Sequence, residues 1–302
     1  MKNRYYSLNE YLKERFGEKV YKLSLDLGFT CPNRDGTKDS RGCAFCLCGS
    51  SHFAEGGGGI AEMLEKAKSR VRLKTDAKKF IAYFQSYTNT YAPIEKLESA
   101  FKAAAEREDV AALSVATRPD CLGKDVLALL ERISKIKPLF VELGLQTSNE
   151  KTASDFRRCY ENSVYAEAVK SLKSLGINVV THIIIGLAGE TLEDYKNSVR
   201  FAVDCGTDGL KLHLLHILQG TDYELLYKNG AVKPLSMDEY FFVLGELLKI
   251  IPENIVIHRL TGDAPKKYLV APLWSADKKT VLNSLSKYLS DNGIVQGSEA
   301  SK

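Results

Sequence analysis

Four of the seven cysteines in this 302-residue chain lie close together in one segment, FTCPNRDGTKDSRGCAFCLC, which begins at Phe29. Thiols gathered in this way can form disulfides, bind zinc, work as a redox dithiol or hold an iron–sulfur cluster. An odd number of cysteines fits a disulfide framework poorly. The four residues are Cys31, Cys43, Cys46 and Cys48.

The spacing of these cysteines separates the alternatives. Structural zinc sites use four ligands, commonly as two pairs, whereas the other three cysteines of the chain are scattered singly. A redox dithiol of Cys43 and Cys46 would leave Cys31 without a role. Three thiolates on a four-iron cluster leave one iron open to a substrate or cofactor. The pattern therefore favours a three-cysteine catalytic cluster, shielded from water by Phe45, over zinc or incidental cysteines.

The elements that must position this segment follow from the hydrophobic pattern. Short apolar runs alternate with stretches that have the helix period, in six strand–helix repeats. This order predicts parallel strands, in an incomplete barrel or an open doubly wound sheet, with functional loops at the carboxyl ends of the strands. The strands are predicted over 21–27, 77–85, 110–117, 138–146, 177–187 and 209–218.

The segments outside the repeats are predicted to form smaller units. Residues 1–20 are interpreted as an N-terminal extension and 21–233 as the core. After Pro234 the layout changes to a helix, a short strand and a second helix. We therefore expect a small C-terminal domain over 234–302 that docks the substrate.

Composition sets bounds on the class of protein. Hydrophobic residues make up 44% of the chain, and the net charge is +4. That mild positive charge is compatible with a nucleic-acid partner but does not require one. No apolar run reaches the roughly 18 residues of a membrane helix, and the first twenty residues lack the apolar stretch of a secretory signal. We expect a cytoplasmic protein with no membrane partner.

Several longer phrases resemble a known family. They include YLKERFGEKVYKLSLDLGFTCPNRDGT, YFQSYTNTYAP, ATRPDCL, THIIIGLAGET and IHRLTGDAPKKYLVAPLW. Together with the three cysteines after the first strand, they resemble the radical S-adenosylmethionine superfamily, and within it the YhcC/YtqA-like family. That family is related to the radical domain of the Elongator catalytic subunit.

The resemblance implies a fold, cofactors and a reaction. The fold would be a partial (βα)6 TIM-like barrel of parallel strands with a small α+β C-terminal appendage. A [4Fe–4S] cluster on Cys31, Cys43 and Cys46 would reductively cleave S-adenosylmethionine to a 5′-deoxyadenosyl radical, and Cys48 would be a bystander. A cytosolic donor such as flavodoxin or ferredoxin would supply electrons.

The resemblance also predicts residues that bind the methionine end of S-adenosylmethionine. The loop after the second strand, with Gln85, Tyr87 and Thr88, would hold the amine; the alternative is an ordinary polar loop. By similarity to related radical enzymes, Arg158 would pair with the carboxylate, because a guanidinium fork suits that group. Arg157 is expected to be a solvated surface charge.

Polar residues inside predicted strands are the candidates for the nucleoside end. Glu142 and Gln146 lie on one face of a strand whose faces are usually apolar, so they demand partners. His182 aligns with a ribose-binding position in relatives, although a lone histidine in a strand is often a satisfied core residue. Gly186 would let the backbone approach the adenine.

The predicted substrate is tRNA, modified at the C5 substituent of its wobble uridine, for instance from carboxymethylaminomethyl to aminomethyl. The alternatives are a radical enzyme with another substrate and a non-catalytic iron–sulfur protein that binds nucleic acid. Arg118 and His213 are expected near the cavity, although a structural Arg–Asp pair would explain Arg118 equally well. Basic and aromatic residues near the C-terminus can grip phosphates and stack bases. They are Arg259, Lys266, Lys267 and Trp274.

Overall fold

The computed structural model describes residues 4–47 and 54–300, so the prediction made for Cys48 lies outside the described residues. Strands and helices alternate along most of the chain. The strands, numbered in chain order, are β1 (Val20–Asp26), β2 (Glu55–Gly56), β3 (Lys79–Phe84), β4 (Val110–Thr117), β5 (Leu139–Gln146), β6 (Asn178–Ile185), β7 (Gly209–Leu214), β8 (Ile217–Leu218), β9 (Val256–Arg259) and β10 (Leu269–Ala271).

The helices follow the predicted amphipathic stretches. Thr191 with Asp194 and Ser236 with Glu239 form reciprocal capping boxes, which satisfy backbone N–H groups where two of these helices begin. The helices are α1 (Leu8–Phe16), α2 (Ile60–Val71), α3 (Ile94–Ala105), α4 (Lys124–Ile136), α5 (Glu150–Asp155), α6 (Asn162–Ser174), α7 (Leu192–Asp204), α8 (Asp222–Lys228), α9 (Met237–Ile250) and α10 (Lys278–Asp291).

One curled parallel sheet organises the molecule. Its strand order is β2-β1-β3-β4-β5-β6-β7-β9, and every neighbouring pair is parallel. The six predicted repeat strands are all present in this sheet, which confirms the partial barrel. β9 extends the sheet at β7, so a strand predicted within the C-terminal appendage continues the barrel. The division at residue 234 stays a prediction.

Alternation along the strands separates two environments. On β1, Leu23 and Leu25 pack under the helices, as Leu113 and Val115 do on β4. Burying such a side chain contributes about 1.5–3 kcal/mol. The other face of each strand points into the barrel, where polar and charged side chains alternate with these apolar residues. The apolar core therefore lies between the sheet and the helices, and the polar side chains lie inside the barrel.

Helix α1 closes the amino-terminal end of the barrel. Leu12 is buried against inward-facing residues at the start of several strands, including Val20, Phe140 and Val180. Ser7 accepts a hydrogen bond from the Glu10 N–H and caps the helix. The segment predicted as an N-terminal extension thus forms the floor of the barrel. In the described residues, no helix combines the length and apolar character that crossing a membrane requires.

Candidate active site

The described part of the cysteine segment, up to residue 47, forms a loop after β1 whose shape is fixed by hydrogen bonds to backbone carbonyls. The Cys46 N–H donates to the Cys43 carbonyl over 2.9 Å, which makes a tight turn. The buried Asn33 amide donates to the Arg157 carbonyl over 2.6 Å and lies 3.5 Å from the Cys43 Sγ. Arg34 donates to the Cys46 carbonyl over 2.7 Å. These contacts hold the loop against the chain that follows β5.

The three predicted cluster ligands fit an iron–sulfur group by their chemistry. Burial raises the pKa of the Cys43 thiol to about 12, and the neighbouring Cys46 and Cys31 act in the same direction. Sulfur is the ligand that iron–sulfur clusters take. Within residues 4–47 and 54–300, no three His, Cys, Asp or Glu side chains are arranged to hold a metal ion. The cluster assignment therefore rests on ligand type and spacing, and stays a prediction.

Two arginines after β5 hold this edge together. Arg157 was expected to be a solvated charge, and that expectation is wrong. Its Nε donates to the Gly42 carbonyl over 2.9 Å, and its Nη1 lies 2.7 Å from the Asp222 carboxylate. The side chain thus joins the cysteine loop to α8, and its backbone adopts a left-handed φ of 63° to do so.

Arg158 is occupied by acceptors within the chain. Its guanidinium donates to the carbonyls of Leu145, Thr147 and Tyr160 and to the side chains of Glu150 and Asn162, over 2.7–3.1 Å. A guanidinium has five N–H donors, so all are used in a residue that is 1% exposed. Arg158 thus has no unoccupied donor for the carboxylate of S-adenosylmethionine that it was predicted to bind, and this arrangement favours a structural role.

The loop after β3 lies beside the cysteine loop, as predicted. Its Thr88 N–H donates to the Thr30 carbonyl over 3.3 Å, and the Tyr87 hydroxyl to the Leu47 carbonyl over 3.4 Å. Tyr87 has a left-handed φ of 54°. The buried Thr88 Oγ1 and Asn89 Oδ1 have no hydrogen-bond partner among the described residues. Because buried polar atoms are normally paired, this loop fits a polar ligand such as the methionine end of S-adenosylmethionine.

The carboxyl ends of β5 and β6 complete this edge of the barrel. Gln146 has a φ of 67°, and its amide lies over Gly144, where a Cβ atom would come within 2.7 Å of it. Gly186 has a φ of 101°, which L side chains rarely adopt, and its N–H donates to the Tyr195 hydroxyl over 3.0 Å. Both predicted nucleoside contacts thus lie at the expected edge, while their roles stay predictions.

Glu142 is the centre of an ionic network deeper in the barrel. Its Oε1 accepts from Lys22 over 2.8 Å and from Ser114 over 2.6 Å, and its Oε2 lies 2.8 Å from His182 Nε2 and contacts Lys211. Despite burial, the charges of Lys211 and Lys22 hold the pKa of this carboxyl well below its ordinary value. Glu142 and His182 were predicted to bind the nucleoside; here they are first of all partners of each other.

Aromatic and imidazole groups complete the interior. The Lys211 ammonium donates to the Tyr83 hydroxyl over 3.2 Å, and the rings of His182 and His213 are 5.1 Å apart. Burial, and then the charge of Lys211, lowers the pKa of His182 to about 4, so it is neutral. The buried His213 Nε2 has no partner in the described part of the chain. His213 thus has an unpaired buried nitrogen within the described barrel, and its contact with the substrate stays a prediction.

Three residues of this network, Lys22, Tyr83 and Lys211, were not predicted from the sequence. Each occupies an inward position in a strand, between residues that pack under the helices. The signal was present in YKLSLDL and GLKLHLL, where a lysine interrupts an apolar strand of a parallel sheet. The reasoning that singled out Glu142 also applies to these lysines, because a buried charge needs a partner.

The remaining substrate candidates divide between core and surface. Arg118 forms the structural pair with Asp120, at 2.9 and 2.8 Å. Trp274 donates its indole N–H to the Leu235 carbonyl over 3.0 Å and packs near the Tyr240 ring, so it is partly buried against the core. Arg259 faces the cavity described below. Lys266 and Lys267 are exposed.

Models of known families match most of the chain. The model described as the radical SAM superfamily matches residues 36–202, more than half of the chain, and the radical SAM C-terminal domain matches residues 207–291. The second boundary lies before β7, so that match includes both β7 and β9 of the barrel sheet.

Relatives and a solved structure agree with these models. YtqA of Bacillus subtilis is 41% identical to this chain, and the match covers 97% of this chain and 92% of YtqA. YhcC of Escherichia coli is 35% identical, and the match covers 95% of this chain and 92% of YhcC. A Methanocaldococcus jannaschii tRNA uridine(34) acetyltransferase is 26% identical over 61% of this chain and 33% of its own. The structure of Methanocaldococcus infernus Elp3 superposes with a TM-score of 0.69 at 18% identity, covering 92% of this chain and 64% of that one, which shows the fold.

The similarities to YtqA and YhcC extend over nearly the whole chain, so they include both the barrel and the C-terminal segment. The superfamily uses a [4Fe–4S] cluster together with S-adenosylmethionine. This chain therefore belongs to the radical S-adenosylmethionine superfamily, in the family of YtqA and YhcC, and is a radical S-adenosylmethionine enzyme.

Proposed function

We propose that this enzyme modifies tRNA at the C5 substituent of the wobble uridine and converts a carboxymethylaminomethyl group to an aminomethyl group. The observation that carries the proposal is the similarity to the tRNA uridine(34) acetyltransferase, which covers 61% of this chain. Elongator complex protein 3 of Schizosaccharomyces pombe is similar over 62% of it. The relative that acts on uridine 34 of tRNA thus supports a uridine in tRNA as the substrate.

The residues of the carboxyl edge would hold the cofactors. Cys31, Cys43 and Cys46 would bind the cluster, while Thr88 and Gln146 would contact S-adenosylmethionine. When bound, these cofactors supply a 5′-deoxyadenosyl radical that abstracts a hydrogen atom from the substrate. The chain itself excludes water, which protects reactive species. Phe45 packs against Phe156 at the cysteine loop, and α1 closes the opposite end of the barrel.

The substrate would reach the barrel from the side. A cavity of about 540 Å³ lies between β1 and β9 and reaches the inward-facing Lys22, Tyr83 and Lys211. The exposed Lys266 and Lys267 precede β10 in the same C-terminal segment. They would contact tRNA phosphates while the modified base enters the cavity. The enzyme also needs a reductant, for which flavodoxin or ferredoxin is proposed.

The decisive experiment compares tRNA nucleosides from a strain with the gene and a strain without it. We expect the deletion strain to accumulate carboxymethylaminomethyluridine and to lose the aminomethyl forms. The purified enzyme, reconstituted anaerobically with iron and sulfide and reduced with dithionite, should then convert tRNA from the deletion strain when S-adenosylmethionine is added. Unchanged nucleosides in the deletion strain would refute the tRNA assignment, whereas cleavage of S-adenosylmethionine would still report the radical chemistry.

A further inference from the structure

The interior of the barrel contains two lysines around one carboxylate. Lys22 and Lys211 both contact Glu142, and both ammonium groups lie 4.5 Å from the centre of the Tyr83 ring. A structural ion pair needs one cation for each carboxylate. The second lysine is therefore an excess positive charge that the scaffold itself does not require.

The donors of these lysines are not exhausted by their contacts. An ammonium group has three N–H donors. In the described residues, Lys22 has one hydrogen-bond acceptor, and Lys211 has two, a carboxylate oxygen and the Tyr83 hydroxyl. Burial lowers the pKa of Lys211 to about 7 even though Glu142 opposes that shift, and the charges of Lys22 and Arg259 add to the lowering. The site therefore lacks negative charge.

The entrance to this site repeats the imbalance. Arg259 and Lys278 line the cavity between β1 and β9 and share one carboxylate, Asp263, at 3.1 and 2.6 Å. Lys19, which also lines the cavity, is balanced by Asp76 at 3.2 Å. Entrance and interior together thus carry two more lysine and arginine side chains than carboxylates.

We propose that Lys22, Lys211 and Arg259 bind the carboxylate of the substrate's carboxymethylaminomethyl group, which enters between β1 and β9 and is the counter-charge that the barrel lacks. This inference rests on the proposed function and adds the residues that select the substrate. The depth of the site favours a carboxylate on the base over a backbone phosphate: the Lys211 side chain is 4% exposed, and that of Lys22 is 21% exposed. A small group on a flexible arm fits this cavity better than a phosphodiester backbone does.

The test compares two synthetic anticodon stem-loops that differ only at position 34. One carries carboxymethylaminomethyluridine, and the other carries aminomethyluridine, which lacks the carboxylate. The reconstituted holoenzyme should bind the first about ten- to a hundredfold more tightly, as expected for one or two charge-assisted hydrogen bonds. Lys22→Gln and Arg259→Gln should each weaken binding of the first stem-loop and leave binding of the second unchanged.

A matched control is Lys135→Gln on the outer helix α4, where the ammonium pairs with Glu131 at 2.8 Å. This variant should keep the wild-type preference. Circular dichroism and urea unfolding report whether each variant is folded. Arg259 lies at the entrance, so Arg259→Gln keeps the test valid if Lys22→Gln does not fold.

The outcomes distinguish this inference from the proposed function. Equal weakening for both stem-loops would mean that these cations bind phosphate, which overturns the inference. An unchanged preference in both variants also overturns it, even if the wild type converts the modified base. If the wild type does not convert the carboxymethylaminomethyl stem-loop at all, the proposed function fails, and the inference fails with it.

Discussion

Glu142→Gln is expected to destabilise the protein more than most single substitutions of a polar residue. The Glu142 side chain is 0% exposed and contacts Lys22 and Lys211, so the change leaves the Lys211 ammonium buried without a counter-charge. Removing one partner of a buried pair costs about 3–5 kcal/mol. Because Lys22 is partly exposed and can turn to water, we expect about 3 kcal/mol. With a urea m-value of roughly 3 kcal/mol/M, the unfolding midpoint should fall by about 1 M.

A second substitution tests the reasoning. The double variant Glu142→Gln/Lys211→Met removes both buried charges and should be more stable than Glu142→Gln alone, since apolar replacements of buried pairs are often neutral. The control is Glu131→Gln, an exposed pair on α4, which should stay within about 0.5 kcal/mol of wild type. Two results would contradict this prediction: a Glu142→Gln variant as stable as the control, or a double variant no more stable than Glu142→Gln.

The remaining predictions concern the cysteine loop, the chain after β5, Glu190 in the turn between β6 and α7, and the C-terminal segment. Alanine at any predicted cluster cysteine should abolish cleavage of S-adenosylmethionine, whereas Cys205→Ala at the C-cap of α7 should keep the absorbance of the cluster; retained cleavage in the first set would contradict the assignment. Arg158→Ala should lower the free energy of unfolding, measured with urea, by about 3 kcal/mol, because it leaves buried acceptors unpaired. Wild-type stability together with weaker binding of S-adenosylmethionine would instead mean that Arg158 pairs with the carboxylate of that cofactor. Burial raises the pKa of Glu190 to about 7, so its contribution to stability is present below its unfolded pKa and is lost as the pH rises through 7. Between pH 5 and pH 8, the free energy of unfolding of Glu190→Gln should therefore rise relative to that of the wild type. Parallel pH profiles of the two proteins would contradict the raised pKa. Replacing Lys266 and Lys267 together by alanine should flatten the salt dependence of tRNA binding by about one to two units, and an unchanged slope would mean that they do not contact phosphate.

The sequence predicted the partial barrel because its signals are local. The six strands alternate with amphipathic helices, and both periods can be counted within a window of a few residues. Cys31, Cys43 and Cys46 follow the first strand, and connectivity alone puts them at the carboxyl edge. The structure confirms the sheet, with β1 and β3 paired from Val20 to Leu25.

The same sequence did not reveal which strand ends the sheet. The segment around Val256 was separated from the six repeats because the helix pattern changes before it. Its pairing with β7 depends on backbone groups that no side-chain pattern encodes. Likewise, Trp274 suggested a stacking surface by its type, whereas the structure packs it, partly buried, against the core near Tyr240.

The assignment of charged residues depended on tertiary structure most of all. The sequence predicted that Glu142 needs a partner, but its partner Lys22 lies 120 residues away. Arg158 was predicted to bind a ligand by similarity to related radical enzymes, yet the fold surrounds it with five acceptors. Residue type and spacing determine which chemistry a side chain can perform. Only the folded chain decides whether its charge is used by the scaffold or left for a substrate, because that depends on every group that burial brings within hydrogen-bonding distance.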